Sequence, residues 1–202
     1  MADTYHTIIA TSQGLYKEKM SKFISFAVPV QSAAEAKEVV KQYQKEYFDA
    51  RHVCWAYMIG AARTEFLSND NGEPSGTAGK PILGQINSFG LTNIVIVVVR
   101  YFGGIKLGTS GLIVAYREAA ADAINNAQII ECHEQTVISF TFDYLAMNDV
   151  MKVIKGVDLK ILNQEFDNDC RMTVSIRSDN APMLVSRLAD IDDVRIDELL
   201  TF

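Results

Sequence analysis

Two spacings of apolar residues recur along the first two thirds of the chain, and one of them predicts strands. Ile94–Tyr101 is apolar at every position before Arg100, which indicates a strand covered on both faces. The other predicted strands are shorter or more mixed runs rich in β-branched and aromatic residues. They span residues 4–10, 15–19, 22–30 and 53–59.

The other spacing is helical and first appears after Ser32. Ser32 and Glu35 predict a capping box, in which each side chain accepts a hydrogen bond from an otherwise unpaired backbone N–H. Apolar residues then recur on one face, and an outer row of lysines is expected to be solvated. A short helix is predicted from Pro81 to Gly90, and a longer one over 112–127.

The pattern starts afresh after Glu134, in the order strand, helix, strand, strand, helix, strand. This order is typical of a ferredoxin-like domain. We therefore predict an α+β protein of two domains, residues 1–134 and 135–202, joined without a Pro/Gly/Ser-rich linker. The predicted elements of the second half are strands over 137–144, 158–166, 171–178 and 194–200 and helices over 147–155 and 181–189.

Charge narrows the class of partner. A net charge of −6 on 202 residues disfavours a protein that coats nucleic acid or anionic membrane through bulk attraction. The charge is uneven, because the first 134 residues carry 12 basic and 13 acidic side chains, and the rest carry 7 and 12. An anion-binding patch is therefore expected in the first domain.

The apolar runs and the cysteines indicate the cell compartment in which the protein is expected. The chain has no apolar run of about 18 residues, and its N-terminus lacks a basic region followed by an apolar one. Cys54, Cys132 and Cys170 lie far apart and form no CxxC pair. These features predict a cytoplasmic protein with reduced, buried cysteines and no contact with a membrane.

The first candidate for a functional surface is the glycine-rich segment 70–81, which follows a strong turn pattern at 69–72. Its three glycines and two prolines fix a backbone path and lead into a helix start. We expect Ser75, Thr77 and nearby N–H groups to be free to donate hydrogen bonds to an anion.

The second candidate is the segment 100–111, which leaves the buried strand and opens a helix. Aligned peptide dipoles and unpaired N–H groups at a helix start attract an anion. The alternative is that the glycines only permit tight turns and that Thr109 or Ser110 caps the helix. Two such segments in one small domain favour a functional surface.

Other chemistry has weaker support. His52 and Cys54 share a strand face, but the sequence offers no further metal ligand nearby and no third group to orient a nucleophile. Asp70 and Glu73 lie in a turn, where carboxylates usually cap and solvate. Tyr101 and Phe102 could stack on bases next to Arg100, but Phe102, at a strand end, is expected in the core. Neither segment matches a phosphate-binding nucleotide motif. We predict no metal, no cofactor and no catalytic residue.

The same segments resemble a known family. The resemblance to the IMPACT/YigZ family covers about residues 15–127 and lies in several long motifs that occur in order. It implies that the first domain has the fold of the second domain of a small-subunit ribosomal protein. The second domain resembles a ferredoxin-like domain of translation elongation factor G. The motifs are 70–81 (DNGEPSGTAGKP), 99–107 (VRYFGGIKL) and 108–116 (GTSGLIVAY), with 19–24 and 50–57 upstream.

Eukaryotic members of that family regulate translation by competing for the activator of a starvation-sensing kinase. For bacterial members a role with nucleic acid or the ribosome is proposed from the fold, and the resemblance therefore implies a non-enzymatic regulatory protein that binds RNA, the ribosome or another part of the translation machinery. Two alternatives stay open: a small-ligand protein or enzyme that holds a phosphate or carboxylate, and a protein-interaction module. The predicted binding residues are Lys22, His52, Glu73, Ser75, Thr77, Lys80, Arg100, Tyr101, Lys106, Thr109, Ser110 and Arg117.

Overall fold

The computed structural model describes residues 4–167 and 169–201, and the chain divides into two compact units. The first unit spans Tyr5–Cys132, and the second contains Thr4 and the residues from His133 onwards. The protein is therefore a mixed α+β protein of two domains. Residues 1–3, 168 and 202, which fall within the two predicted domains, lie outside the described residues.

The first domain is built on a five-stranded sheet in which every neighbouring pair is antiparallel. Its elements in chain order are β1 (Thr4–Ile8), β2 (Ser12–Glu18), β3 (Ser21–Pro29), α1 (Ala33–Glu46), β4 (His52–Ile59), β5 (Glu65–Asn69), α2 (Gly79–Ser88), β6 (Ile94–Tyr101), α3 (Gly108–Asn125) and β7 (Ile129–His133). The sheet order is β2-β3-β6-β4-β5, and β1 pairs with β7 in a separate two-stranded sheet.

The central strand β6 confirms the prediction of a strand covered on both faces. Its side chains alternate between two cores, because successive residues of a strand point to opposite faces of the sheet. Ile94, Ile96 and Val98 pack with α2 and α3, and Val95, Val97 and Val99 pack on the side of α1. At its end β6 carries Arg100 into the first of these layers.

The start of α1 differs from the predicted capping box by one residue. The Ser32 side chain accepts a hydrogen bond from the Glu35 N–H at 3.2 Å, as expected. The Glu35 carboxylate accepts from the N–H of Gln31 at 2.7 Å rather than from Ser32 itself. Both side chains still satisfy backbone donors, so the helix begins where the sequence predicts.

The helix α3 begins at Gly108, four residues before the predicted Leu112. Leu107 is its N-cap residue, and its side chain makes no capping hydrogen bond. Thr109 and Ser110 therefore lie inside the first turn, and the alternative in which either of them caps the helix is wrong. Neither β5 nor β7 was expected from the sequence pattern.

The second domain has the predicted element order. The elements are β8 (Gln135–Phe142), α4 (Met147–Lys155), β9 (Lys160–Phe166), β10 (Cys170–Arg177), α5 (Ala181–Ala189) and β11 (Val194–Thr201). Its antiparallel sheet has the order β11-β8-β10-β9 and packs one face on the two helices. Over the residues described, no helix is both long and apolar enough to cross a membrane.

Candidate functional site

The first glycine-rich segment closes on its own acidic residue. A tight turn with positive φ at Asn71 (42°) and Gly72 (82°) follows β5. The Asp70 carboxylate accepts hydrogen bonds from the N–H groups of Gly76 at 2.7 Å, Ala78 at 3.0 Å and Gly79 at 2.8 Å. A side-chain anion thus already occupies the start of α2.

This arrangement corrects the expectation of free donors for the N–H groups of Gly76, Ala78 and Gly79, whereas Ser75 is exposed, as expected. The Thr77 hydroxyl is also used, since it donates to the Pro74 carbonyl at 2.7 Å. Burial works to raise the pKa of the Asp70 carboxyl, but the backbone donors and Lys80 outweigh it and hold that pKa below its ordinary value. The segment is therefore a self-contained loop whose anion site is filled by the protein.

The structural role of that loop is to bury Glu73. The Glu73 side chain is 3% exposed, and its Oε1 accepts hydrogen bonds from Arg100 at 2.6 Å and from the Tyr116 hydroxyl at 2.8 Å. His52 Nε2 lies 3.9 Å from the same oxygen. Residues from β4, the loop, β6 and α3 thus meet at one carboxylate. The expectation that Glu73 caps a solvated turn is wrong.

Arg100 lies between two aromatic rings. Its guanidinium carbon is 5.4 Å from the Phe23 ring centre and 5.7 Å from the Phe102 ring centre, within range for cation–π attraction. The residue is buried, and among the described residues its Nε finds no hydrogen-bond partner. Phe102 is 43% exposed, so the expectation that it lies in the core is wrong.

A thiol and a phenol extend this polar cluster into the core. Cys54 Sγ donates to the Asp70 carbonyl at 2.9 Å and lies 3.3 Å from the Tyr116 hydroxyl. Burial raises the pKa of the Cys54 thiol to about 12, and burial likewise raises the pKa of Tyr116. Cys54 is therefore a neutral thiol at physiological pH, which makes it a poor nucleophile.

A cavity of about 430 Å³ opens above Glu73 and Arg100. Arg51 and Lys106, both exposed, stand at its wall, and the uncapped first turn of α3 forms another part of it. The lining is positive on balance, because these two cations are added to an internally paired Arg100 and Glu73. We call it the first cavity; its lining includes Arg51, His52, Glu73, Arg100, Phe102, Lys106, Leu107 and Thr109.

The structure brings five of the predicted binding residues to this cavity. They are His52, Glu73, Arg100, Lys106 and Thr109. Arg51 and Phe102 also line it and were not among the predicted binding residues. Arg51 directly precedes His52, and Phe102 directly follows the buried strand, so position relative to predicted strand ends is the feature that would have identified them.

The other predicted residues lie elsewhere. The Tyr101 hydroxyl donates to Asp49 at 2.9 Å, and its ring packs in the layer on the side of α1. Arg117 is exposed and pairs with Glu118 at 3.2 Å. Alternation along β6 explains the first case, because Tyr101 points away from Arg100. The rest belong to the closed loop (Ser75, Thr77, Lys80), to the exposed surface of β3 (Lys22) and to a neighbouring depression (Ser110).

Comparison with known proteins extends this picture. The protein-family model of the Impact N-terminal domain matches residues 19–124 of the sequence, and this range contains every residue of the first cavity. The chain belongs to the IMPACT family. Within that family it is 32% identical to YigZ of Escherichia coli (strain K12) over 174 residues, which is 85% of each chain.

Two further relatives of this IMPACT family chain support the assignment. YvyE of Bacillus subtilis (strain 168) is 35% identical over 144 residues, which are 71% of this chain and 66% of YvyE. The chain thus spans slightly less than two thirds of YvyE. A crystal structure described as that of a hypothetical protein aligns with a TM-score of 0.75 at 28% identity and covers 97% of both chains.

Proposed function

We propose that this protein is a non-enzymatic regulatory member of the IMPACT family that binds RNA of the translation machinery through the first cavity. The proposal rests on one observation: two exposed cations and an exposed aromatic ring line the same cavity. Arg51 and Lys106 suit phosphate oxygens, and the free part of Phe102 suits the face of a base.

The charge distribution supports the same function. The first domain is close to neutral overall, so cations concentrated at one cavity dominate the local field instead of spreading over a basic surface. The second domain carries most of the negative charge and opposes indiscriminate binding to nucleic acid. Binding is thus expected to depend on the cavity residues.

The arrangement of the buried groups favours binding over catalysis. Arg100 and Tyr116 already donate hydrogen bonds to Glu73 Oε1, so this carboxylate is engaged in contacts within the protein. The neutral Cys54 thiol is closed off by burial. We therefore assign these groups to the support of Arg100.

The fold assignments implied by the resemblance are part of the proposal. The order strand, helix, strand, strand, helix, strand and the antiparallel sheet of the second domain support a ferredoxin-like domain like that of elongation factor G. For the first domain we propose the fold of the second domain of a small-subunit ribosomal protein. We also propose a cytoplasmic location, because a partner in the translation machinery would be found there.

The test is a charge reversal at the cavity with a matched control. Arg51→Glu combined with Lys106→Glu alters two exposed side chains, whereas reversal at Arg100 would place two carboxylates together in the core. The control, Lys37→Glu with Lys45→Glu, makes the same change in net charge on the exposed face of α1. Binding of purified ribosomes and structured RNA is measured across a range of salt concentrations.

We expect the cavity variant to lose at least about tenfold in affinity and to show a salt dependence shallower by about two phosphate contacts. The control is expected to bind like the unmodified protein. Equal losses in both variants would mean that only net charge matters. Wild-type protein that binds neither ribosomes nor RNA at physiological salt would refute the proposal.

A second candidate function is the binding of a small anionic ligand. The size of the first cavity favours it, because about 430 Å³ lies within the usual range for small-molecule sites. Calorimetric titration with inorganic phosphate and with nucleoside monophosphates tests this candidate. Saturable binding that the Arg51→Glu/Lys106→Glu variant loses, without any affinity for RNA, would replace the RNA proposal.

A further inference from the structure

A second depression lies on the other side of the first turn of α3. Its volume is about 280 Å³, and it shares Leu107 with the first cavity. Tyr16 and Lys19 form part of its wall, with Glu18 and Val114 nearby. We call it the second cavity, and Ser110 is its one member among the predicted binding residues.

The β2–β3 turn holds the two cavities side by side. Lys19 and Met20 form this turn with positive φ values of 44° and 63°, a conformation that residues other than glycine seldom adopt. A side chain at Gly103 would overlap the Met20 backbone, and the Gly103 N–H donates to Ser21 Oγ at 3.2 Å. The loop between β6 and α3, which contributes Lys106 to the first cavity and Leu107 to both, is thus fixed against the turn.

The two cavities differ in charge. The first is positive on balance, and it contains the buried Arg100, whose Nε finds no partner in the part of the chain that the structure describes. In the second, Lys19 and Glu18 cancel, and the remaining wall is the uncharged set Tyr16, Leu107, Ser110, Gly111 and Val114. A phosphate therefore fits the first cavity, and a neutral, flat group fits the second.

An aromatic ring lines each of the two cavities. Phe102 lies at the first, where Arg100 covers one part of its ring and 43% of the residue is exposed. Tyr16 lies at the second and is half-buried, with its ring centre 6.3 Å from that of the buried Phe23. Rings at two adjoining cavities, one of them positive, suit neighbouring bases of one strand.

We propose that the first domain binds single-stranded RNA, with a phosphodiester group in the first cavity and the flanking bases on Phe102 and Tyr16. The inference rests on the proposed function and names the form of RNA. Duplex RNA does not meet the geometry, because its bases are stacked on each other and present only their edges. Recognition by stacking tolerates many sequences, since every base has a π-face.

The test is fluorescence anisotropy with a labelled RNA of eight nucleotides that cannot pair with itself, used alone and annealed to its complement. The variants are Phe102→Leu and Tyr16→Leu, which keep apolar volume and remove the ring. The control Phe66→Leu removes an aromatic residue that is 55% exposed and lines neither cavity. Circular dichroism confirms that each variant is folded.

We expect the single strand to bind at least about tenfold more tightly than the duplex, and each cavity variant to lose about tenfold or more. Because Tyr16 also packs on Phe23, the Tyr16→Leu variant could lose stability as well as binding contacts. A second pair of variants, Lys19→Ala and the exposed control Lys17→Ala, distinguishes these two effects. Lys19→Ala leaves the Glu18 carboxylate unbalanced at the second cavity, so it is expected to weaken binding of an anionic strand, and Lys17→Ala is expected to have little effect.

Duplex that binds as well as the single strand, or Tyr16→Leu and Lys19→Ala variants that bind like wild type, would overturn this inference. In either case the proposed function stands if ribosomes or structured RNA still bind through Arg51 and Lys106. Wild-type protein that binds no RNA of any form would refute both.

Discussion

Glu73 and Arg100 bring opposite charges to a place that water hardly reaches. Their side chains are 3% and 7% exposed, and the two atoms in contact are 2.6 Å apart. Removing such groups from water is costly, and the cost is offset only when each charge keeps good hydrogen bonds. The Tyr116 hydroxyl and the two rings around Arg100 supply part of this compensation.

Glu73→Gln is therefore expected to destabilise the first domain strongly. The substitution keeps the shape of the side chain and leaves the Arg100 charge without a counterion, which costs about 3–5 kcal/mol in a buried pair. Urea unfolding measures the loss of free energy of unfolding. Glu118→Gln, which removes the partner of Arg117 in an exposed pair, is the control and should cost below about 1 kcal/mol. Similar losses at both positions would contradict this account.

The sequence predicted the types of residue at the site better than their contacts. Arg100 and Lys106 could be predicted because cations near a helix start and a strand end are typical of anion sites. The burial of Glu73 could not, because it depends on a loop whose shape Asp70 sets by accepting three backbone hydrogen bonds. No local pattern encodes which donors a carboxylate will find.

At the scale of elements, some glycines allow a close approach of backbone that a side chain would prevent, and others do not. Gly103 lies against the Met20 backbone, where a side chain would overlap it. Gly84 lies in the interior of α2, is exposed and has open space where a Cβ would be. The same substitution should therefore act in opposite directions at the two positions.

Gly84→Ala is expected to stabilise the protein by about 0.5–1 kcal/mol, because alanine loses less conformational freedom in a helix. Gly103→Ala is expected to destabilise it by about 1–3 kcal/mol, because the overlap forces the loop or the turn to move. Thermal and urea unfolding of the two variants check the signs. Destabilisation by Gly84→Ala would show that α2 packs more closely there than the structure indicates.

The elements that the sequence predicted well are those with a strong pattern of their own. The central strand β6 is apolar throughout, and α4 and α5 begin and end at the predicted residues. The missed strands lack such a pattern. Most of β5 is exposed, with no alternation of buried and exposed residues, and β7 exists as a strand because β1, distant in sequence, pairs with it. The local periodicity of a sequence does not reveal which distant segments pair with each other.

At the scale of the whole molecule, each domain has its own core. The first has two layers of buried side chains, one on each face of the five-stranded sheet, and the second has one layer between its sheet and its helices. The matched family region ends at residue 124, just before the end of α3. The β1–β7 pair lies outside the matched region, with β1 before residue 19 and β7 after residue 124, although Ile8 of β1 belongs to the core of the first domain.

A fragment that ends at residue 133 is therefore expected to be more stable than one that ends at residue 125. The shorter fragment lacks β7, which leaves β1 without its paired strand and exposes the buried Ile8. We expect its midpoint of thermal unfolding to fall by at least about 5 °C. Calorimetry on both fragments measures this, and equal midpoints would show that β7 contributes nothing to the first domain.

Because Arg100 lies on the central strand, one side of the first cavity is expected to be rigid and the other adaptable. Its backbone is paired on both sides, with Phe23 of β3 and His52 of β4, so amide hydrogen exchange there should be among the slowest in the domain. A ligand at the first cavity would therefore face a floor that is already ordered, with Arg100 paired to Glu73, and would lose little entropy against it. Lys106 and Phe102, on the exposed segment after the strand, are the groups that would have to adapt to each ligand. Discrimination between ligands of similar charge is then expected of that segment, whereas the paired Arg100 and Glu73 would present the same fixed surface to all of them.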